Sequence, residues 1–487
     1  MDYCIEDKTK ISGFGRFKCK FRGTRKFTES VFNVGDPIVI SVSGKFSIAI
    51  GYATVIDKES FECFVDRNLN KYTNNTFRID KDELSSGWSS VRNNLVQLLM
   101  KEEKLKRLIA DLEKPIFSLN KTINFTNMHD DLNLDQKEAI KRVIQAEDYV
   151  MLLGMPGTGK STLIAHLVSI LINQGKSVLI TGYTHSSVDN ILLKLKQLNL
   201  DFLRLGNSEK IDPGLIDYVD PNFNSLDEIN KFYSTKKIVA CTCLGIFQHP
   251  IFKKRKFDVC IVDEASQVTL PVCIGPLLHS NKFVLVGDHY QLSPLTRSSK
   301  NELSKSLFKR LCEAHPNNIS RLSFQYRMNS DISLLSNHLF YNFHLKCGNE
   351  KIANQSLKIY SNCFCNSNCF IQLVCQSNVL FLNTDTIGLN LEQKQGDSIV
   401  NHFEASLVNL ICKRLVYENI DKNRITVLSP FRSQCKLFDC EASTIDKYQG
   451  KDNDVIIASL VRSNDQSQVK CLFNIYRLEI CLNHGRD

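Results

Sequence analysis

The run Gly154-Met155-Pro156-Gly157-Thr158-Gly159-Lys160-Ser161, followed by Thr162, has the spacing of a glycine-rich loop that wraps phosphate groups. The strand-like YVMLL leads into it and the helix-like STLIAHLVSIL leads out. Backbone N–H groups and a helix N-terminus then converge where phosphate oxygens would sit. Lys160 would neutralise β- and γ-phosphate charge, and the Ser161 hydroxyl would ligate Mg²⁺. A plain glycine turn before an ordinary helix is the alternative. Asp263-Glu264 closes a second apolar run, DVCIV. One carboxylate, assigned to Asp263, would hold the Mg²⁺ shell, and Glu264 would orient and deprotonate an attacking water. Taken alone, such a pair more often serves a helix N-terminus. Gly287-Asp288-His289-Tyr290-Gln291 ends a third run, FVLV, where the Gln291 amide would sense a γ-phosphate unless it is only a polar turn.

These residues need strand ends to hold them. From Gln136 onward, YVMLLG, SVLITG, KIVACT, DVCIVDEA and FVLVGD alternate with helical stretches, the mark of an α/β fold with a parallel sheet. The alternation weakens after Gln325 and resumes in NVLFLNTD, RITVLSPF and DVIIASLV, which predicts strands of a second, shorter lobe. Upstream, residues 30–66 alternate in short β-branched and aromatic runs broken by turn residues, and predict a small β-barrel. Between about Ser90 and Leu112, Leu, Val and Ile recur at three- and four-residue spacing, which predicts an amphipathic helical stalk.

With 487 residues, 43% of them hydrophobic, the chain can bury about three cores. The net charge of +9 suits a phosphate-rich partner without requiring one. None of the 18 cysteines falls at C-x-x-C spacing, and the N-terminus lacks the basic-then-apolar pattern of a secretory signal. Reduced, intracellular thiols are expected, and no apolar run approaches the roughly 20 residues that span a bilayer, so no membrane partner is expected. Cys363, Cys365, Cys369 and Cys375 match no familiar metal-binding spacing and are expected to be packed thiols. Lys253-Lys254-Arg255-Lys256 is read as a solvated loop, with a DNA contact or an import signal as alternatives.

The order of the motifs is itself informative: LNLDQ, GMPGTGKST, YTHSSVDN, VDEAS, GDHYQLSPL, QYRMNS and TIDKYQGKDNDVII. It resembles superfamily 1 helicases of the 5′-to-3′ branch. The further phrases ILLKLKQLNLDFLRLG, CLGIFQHPIF, QVTLPVCIGPLL, SLFKRL, VRSN and VGDPIVIS are similar to the helicase half of the eukaryotic DNA replication ATP-dependent helicase/nuclease family. The resemblance implies a β-barrel domain over 1–89, a helical stalk over 90–125, a RecA-like ATP-binding lobe over 126–320 and a second RecA-like lobe over 321–487. It implies ATP and Mg²⁺ as cofactors, single-stranded DNA as partner with RNA less favoured, and the nucleus, or else the mitochondrion, as location.

By the same resemblance, Gln136 contacts the adenine edge, Tyr326 stacks near the base, and Arg327 reaches across the cleft to the γ-phosphate. Asp452 meets the ribose, while Gln449 and Gly450 lie between nucleotide and strand. Thr184, His185, Ser186 and Asn190 touch the nucleic-acid backbone, although Thr and Ser after a strand also make routine helix caps. The family's upstream nuclease domain is expected to have no counterpart in this chain. In place of the family's C-terminal Thr-Arg segment the chain reads YRLEICLNHGRD; with Arg477-Leu478 as the register, His484 takes the arginine's position, Arg486 follows two positions on, and an incomplete second lobe is expected. A largely neutral imidazole cannot reproduce a five-donor guanidinium. ATP binding is therefore the firmer expectation, and hydrolysis the weaker. A non-hydrolysing binding module and an RNA-directed helicase are the competing expectations.

Overall fold

The structure is a computed structural model. It describes residues 2–10, 17–23, 36–56, 60–73, 75–81, 85–121, 125, 130–221, 225–249, 251–296, 304–357, 377–384, 387, 392–395, 398–448 and 451–463. Gln449, Gly450, His484, Arg486 and the cysteines at 363, 365, 369 and 375 lie outside the described residues. The chain divides into two compact units, Met1–Asn93 and Asn94–Asp487.

The first unit is a closed barrel. Its strands are β1 (Asp2–Lys10), β2 (Phe17–Gly23), β3 (Pro37–Val42), β4 (Lys45–Ile56), β5 (Ser60–Val65) and β6 (Phe77–Lys81), in the order β1-β2-β5-β4-β3-β6. Alternation along β3 and β5 turns Ile38, Ile40, Phe61, Cys63 and Val65 inward. Phe21 and Phe77 meet edge to face inside, 5.4 Å apart. The barrel therefore takes in two strands upstream of the segment the alternation had singled out. Closure leaves no sheet edge open to pairing.

In place of one stalk helix there are two, α1 (Ser85–Lys101) and α2 (Glu103–Ile109), because Glu102 leaves the helical region at φ −120° and ψ 71°. On α2 the apolar spacing buries Leu105, Leu108 and Ile109.

The motif-bearing part is one parallel sheet. Its strands are β7 (Tyr149–Gly154), β8 (Val178–Gly182), β9 (Leu203–Arg204), β10 (Ile238–Thr242), β11 (Phe257–Asp263), β12 (Ser280–Gly287) and β13 (Ile319–Leu322). They lie in the order β13-β7-β12-β11-β8-β10-β9, every pairing parallel. Continuous apolar runs suit strands covered on both faces, and β7, β8 and β10 are buried along their whole length. The helices α3 (Leu134–Gln145), α4 (Lys160–Asn173) and α5 (His185–Gln197) pack Ile140, Leu163, Leu167, Val188 and Ile191 against Val150, Ile180 and Ile261. Each such fully buried side chain contributes roughly 1.5–3 kcal/mol. Because the strands are parallel, all their carboxyl ends open on one edge, where ligands of such sheets bind.

Downstream, β14 (Phe324–Gln325) pairs with β15 (Lys346–Cys347), and β16 (Gln393–Gln395) with β17 (Ser398–Val400). A second parallel sheet has β18 (Ile425–Ser429) between β19 (Glu441–Thr444) and β20 (Val455–Ala458). The helix His402–Tyr417 covers it through Val408, Cys412 and Leu415.

Two expectations are corrected. NVLFLNTD forms no strand over its described residues 378–384; Leu380, Phe381 and Leu382 stand exposed, with no ladder partner among the described residues to bury them. The basic run is not a plain loop, since Ile251–Lys254 forms a short helix and Arg255 donates to the Tyr233 carbonyl. Lys256 pairs with Glu102 at 2.9 Å. Among the described residues, no helix is long and apolar enough to cross a membrane.

Candidate nucleotide and strand site

The phosphate loop turns out of β7 at Gly154 and enters α4 at Lys160. Two of its glycines are required by geometry. A Cβ on Gly154 would lie 2.3 Å from Lys160 Cγ. Gly157 has φ +69°, and a Cβ there would lie 2.7 Å from Arg327 Cβ. Met155, Pro156 and Thr158 are buried, while Gly157, Gly159, Lys160, Ser161 and Thr162 keep partial access. The Thr158 hydroxyl donates to Met155 O at 2.7 Å and braces the turn.

Gln136 is committed at both ends. Its Nε2 donates to Thr158 O at 3.0 Å, and its Oε1 accepts from Asn133 N at 3.1 Å in the capping box of α3. In this state it positions the loop.

The Lys160 ammonium donates to Gly154 O at 3.1 Å and lies 3.6 Å from Glu264 Oε1. Burial works against its charge, but Glu264, then Asp288 and Asp263, hold its pKa above the ordinary lysine value. Glu264 reaches this point from a left-handed backbone, φ 49°, a conformation that costs a non-glycine residue about 1–3 kcal/mol. Burial first, and Glu264 second, push the Asp263 carboxyl up to about 7. Its Oδ1 is buried without a hydrogen-bond partner among the described residues.

Asp288 is fully buried at the end of β12 and raised by burial to about 6. Its Oδ1 accepts from Tyr290 N at 3.0 Å, and its Oδ2 accepts from Gln291 Nε2 at 3.1 Å and Tyr341 Oη at 2.8 Å. Gln291 is thereby held with its amide nitrogen turned to Asp288. Neither Asp288 nor Tyr341 was assigned a role by spacing, although Asp288 sits inside GDHYQ.

Tyr326 and Arg327 dock on the same loop, with Tyr326 N donating to Gly157 O at 2.9 Å. Gln325 fixes the turn, accepting through Oε1 from Arg327 N and Met328 N at 2.9 and 2.7 Å. The half-exposed Tyr326 takes a hydrogen bond on its hydroxyl from Asn133 Nδ2 at 3.1 Å. Arg327 Nε lies 3.2 Å from Asp452 Oδ2. Leu292, just past Gln291, packs into a cluster with Leu428, Ile445 and Tyr448, so the chain after β12 touches the core beside β18.

Thr184, His185, Ser186 and Asn190 form a separate ledge after β8, whose last residue, Gly182, pairs in register with Asp263. Thr184, Ser186 and Asn190 are exposed and His185 is partly covered. Thr184 takes the helix-cap role, its hydroxyl accepting from Ser187 N at 3.2 Å.

The pocket thus gathers one ammonium, one guanidinium and four carboxylates around a loop of backbone donors. An orphaned carboxylate oxygen fits a divalent cation, and Asp263 with Ser161 are the residues that would hold it.

Family models match three stretches of the chain. The model described as the Dna2 Rift barrel domain matches residues 5–83, one described as an AAA domain matches 131–225 and 221–299, and another AAA domain model matches 303–486. The DNA replication ATP-dependent helicase/nuclease dna2 of Schizosaccharomyces pombe is 37% identical over 95% of this chain and 37% of its own length. The human DNA replication ATP-dependent helicase/nuclease DNA2 is 36% identical over 95% of this chain and 47% of its own. The corresponding Arabidopsis thaliana protein, JHS1, is 39% identical over 84% of this chain and 32% of its own. The chain spans less than half the length of each of these relatives. Among solved structures, an arterivirus nonstructural protein 10 helicase aligns with 99% of this chain and 76% of its own at 13% identity and a TM-score of 0.41.

Proposed function

The chain belongs to the eukaryotic DNA replication ATP-dependent helicase/nuclease family, whose helicase half it matches, and from that premise we propose an ATP-driven motor that moves 5′ to 3′ along single-stranded DNA. Replication and repair in the nucleus, with the mitochondrion second, follow from the same family. Residues 126–320 and 321–487 are the two lobes of that motor, with the barrel over 1–89 and the stalk over 90–125.

One observation carries the proposal: groups from both halves of the second unit meet on one phosphate loop, Lys160 and Glu264 on one side and the Arg327–Asp452 pair on the other. Lys160 would hold β- and γ-phosphate oxygens, and Glu264 would accept the proton of the attacking water. When bound, Mg²⁺ would supply neutralisation of phosphate charge at Asp263 and Ser161. The Arg327–Asp452 pair keeps partial access to solvent. A triphosphate can therefore draw Arg327 away from Asp452, which ties nucleotide occupancy to the spacing of the lobes. Tyr326 would stack near the base and Gln136 would present an edge to the adenine once the capping box opens. Thr184, His185, Ser186 and Asn190, together with Gln449, would hold the strand by its backbone.

The experiment is strand displacement from duplexes carrying a 5′ or a 3′ single-stranded DNA tail, with ATP. Displacement of the 5′-tailed duplex alone is expected. Displacement of the 3′-tailed duplex, or stronger ATPase stimulation by RNA than by DNA, would overturn the polarity or the substrate respectively.

A further inference from the structure

Arg204, at the end of β9, is fully buried. Its Nε donates to Asp189 Oδ1 at 2.7 Å and its Nη1 donates to Leu205 O at 2.8 Å. Its Nη2 lies 3.1 Å from His185 Nδ1. Asp189, on α5, is itself held in place, accepting from Asp212 N through Oδ2 at 3.0 Å.

A guanidinium has five donors and no acceptor. The contact with His185 therefore makes Nδ1 the acceptor and leaves the ring proton on Nε2. Gly206 packs along the same Nδ1–Cε1 edge of the ring as Arg204. Gly206 has φ +145°, and a Cβ there would lie 3.4 Å from His185 Cε1. Nε2 has no hydrogen-bond partner among the described residues. The charged groups around the ring are Arg204, Asp189 and Lys210. Burial first, then Arg204, lower the His185 pKa, Asp189 opposes them, and Lys210 adds to the lowering.

We propose that Arg204 is a positioning residue that locks His185 as the neutral Nε2–H tautomer, so that the imidazole donates one uncharged hydrogen bond to a phosphate oxygen of the bound strand. This rests on the ledge at 183–190 being the strand-binding surface. A neutral donor displaces no condensed counterion, so it adds affinity without adding to the salt dependence. Its bond to the strand also depends less on pH near neutrality than that of an unperturbed histidine.

The test uses the whole chain and a fluorescent single-stranded DNA oligonucleotide, with binding measured against pH and salt. Selective ¹⁵N-histidine NMR, assigned with His185→Gln, reads the tautomer. The expected results are Nε2–H for His185 and a ring that titrates below the ordinary histidine value. His185→Asn is expected to weaken binding on the order of 10-fold with the salt slope unchanged. His185→Gln, whose amide reaches the Nε2 position, is expected to restore most of that loss. Both variants keep the Arg204–Asp189 pair and hence the fold. Arg204→Lys keeps a charge for Asp189 but removes the second arm of the fork, and should let His185 titrate and binding tighten below about pH 6.5.

Binding by the wild type with His185 as the Nδ1–H tautomer, or a salt slope that falls in His185→Asn, overturns the proposal alone. A wild type that binds no oligonucleotide removes the strand-binding ledge and the proposal together.

Discussion

Lys160 and Arg204 are both cations withdrawn from water at carboxyl ends of the same sheet, yet their surroundings differ. Arg204 has one carboxylate, one carbonyl and one imidazole, each within hydrogen-bond reach, so the group is closed. Lys160 is surrounded by the carboxylates of Glu264, Asp288 and Asp263, and one Asp263 oxygen has no hydrogen-bond partner among the described residues. Removing charges from water is costly unless they are paired and hydrogen-bonded. The closed group behaves as support for the ledge. The open one is the proposed nucleotide site, held together only as far as the fold imposes it.

The comparison can be broken most severely at Arg327, the cation that Asp452 holds in the absence of nucleotide. Arg327→Ala should lower DNA-stimulated phosphate release by about 10³- to 10⁵-fold while equilibrium ATP binding changes little. A comparable loss in both would mean that Arg327 supports the loop and does not act in turnover. Next in size is the closed group itself. Asp189→Ala leaves Arg204 buried without its carboxylate and should cost about 3–5 kcal/mol in thermal or denaturant unfolding. Loss below about 1 kcal/mol, the range of exposed pairs, would mean that water reaches Arg204.

The smallest effect concerns the open group. The Asp263 carboxyl is raised to about 7, above its unfolded value, so the native chain carries a penalty at higher pH that is relieved as pH falls through about 7. Without nucleotide, stability should rise by about 1 kcal/mol on going from about pH 8 to pH 6, with Asp288 acting in the same direction. Asp263→Asn should stabilise the chain at pH 8 and flatten most of that dependence. A chain that loses stability over the same window would contradict the strained pocket.

The open group was legible in the sequence because phosphate binding imposes residue types at fixed spacing on consecutive strand ends, and 154–162, Asp263-Glu264 and GDHYQ each carry such a signature. The closed group was not. Arg204 lies in FLRLG, where a lone arginine looks like a surface residue, and its partner Asp189 lies 15 residues earlier on a different element. Only the packing of β9 against β10 reveals that the arginine is covered. The second sheet was half legible for a similar reason. The strands in RITVLSPF and DVIIASLV are apolar and declare themselves, whereas β19, Glu-Ala-Ser-Thr, is a strand only because β18 pairs with it in parallel. NVLFLNTD is the converse, apolar enough for a strand but without a strand beside it among the described residues.

The most direct test of the account is phosphate release by the purified chain, with saturating single-stranded DNA, ATP and Mg²⁺, set beside Lys160→Ala. The expected result is DNA-dependent release that falls at least about 10²-fold in the variant. Equal release by the two proteins would contradict a motor driven from the Lys160 loop.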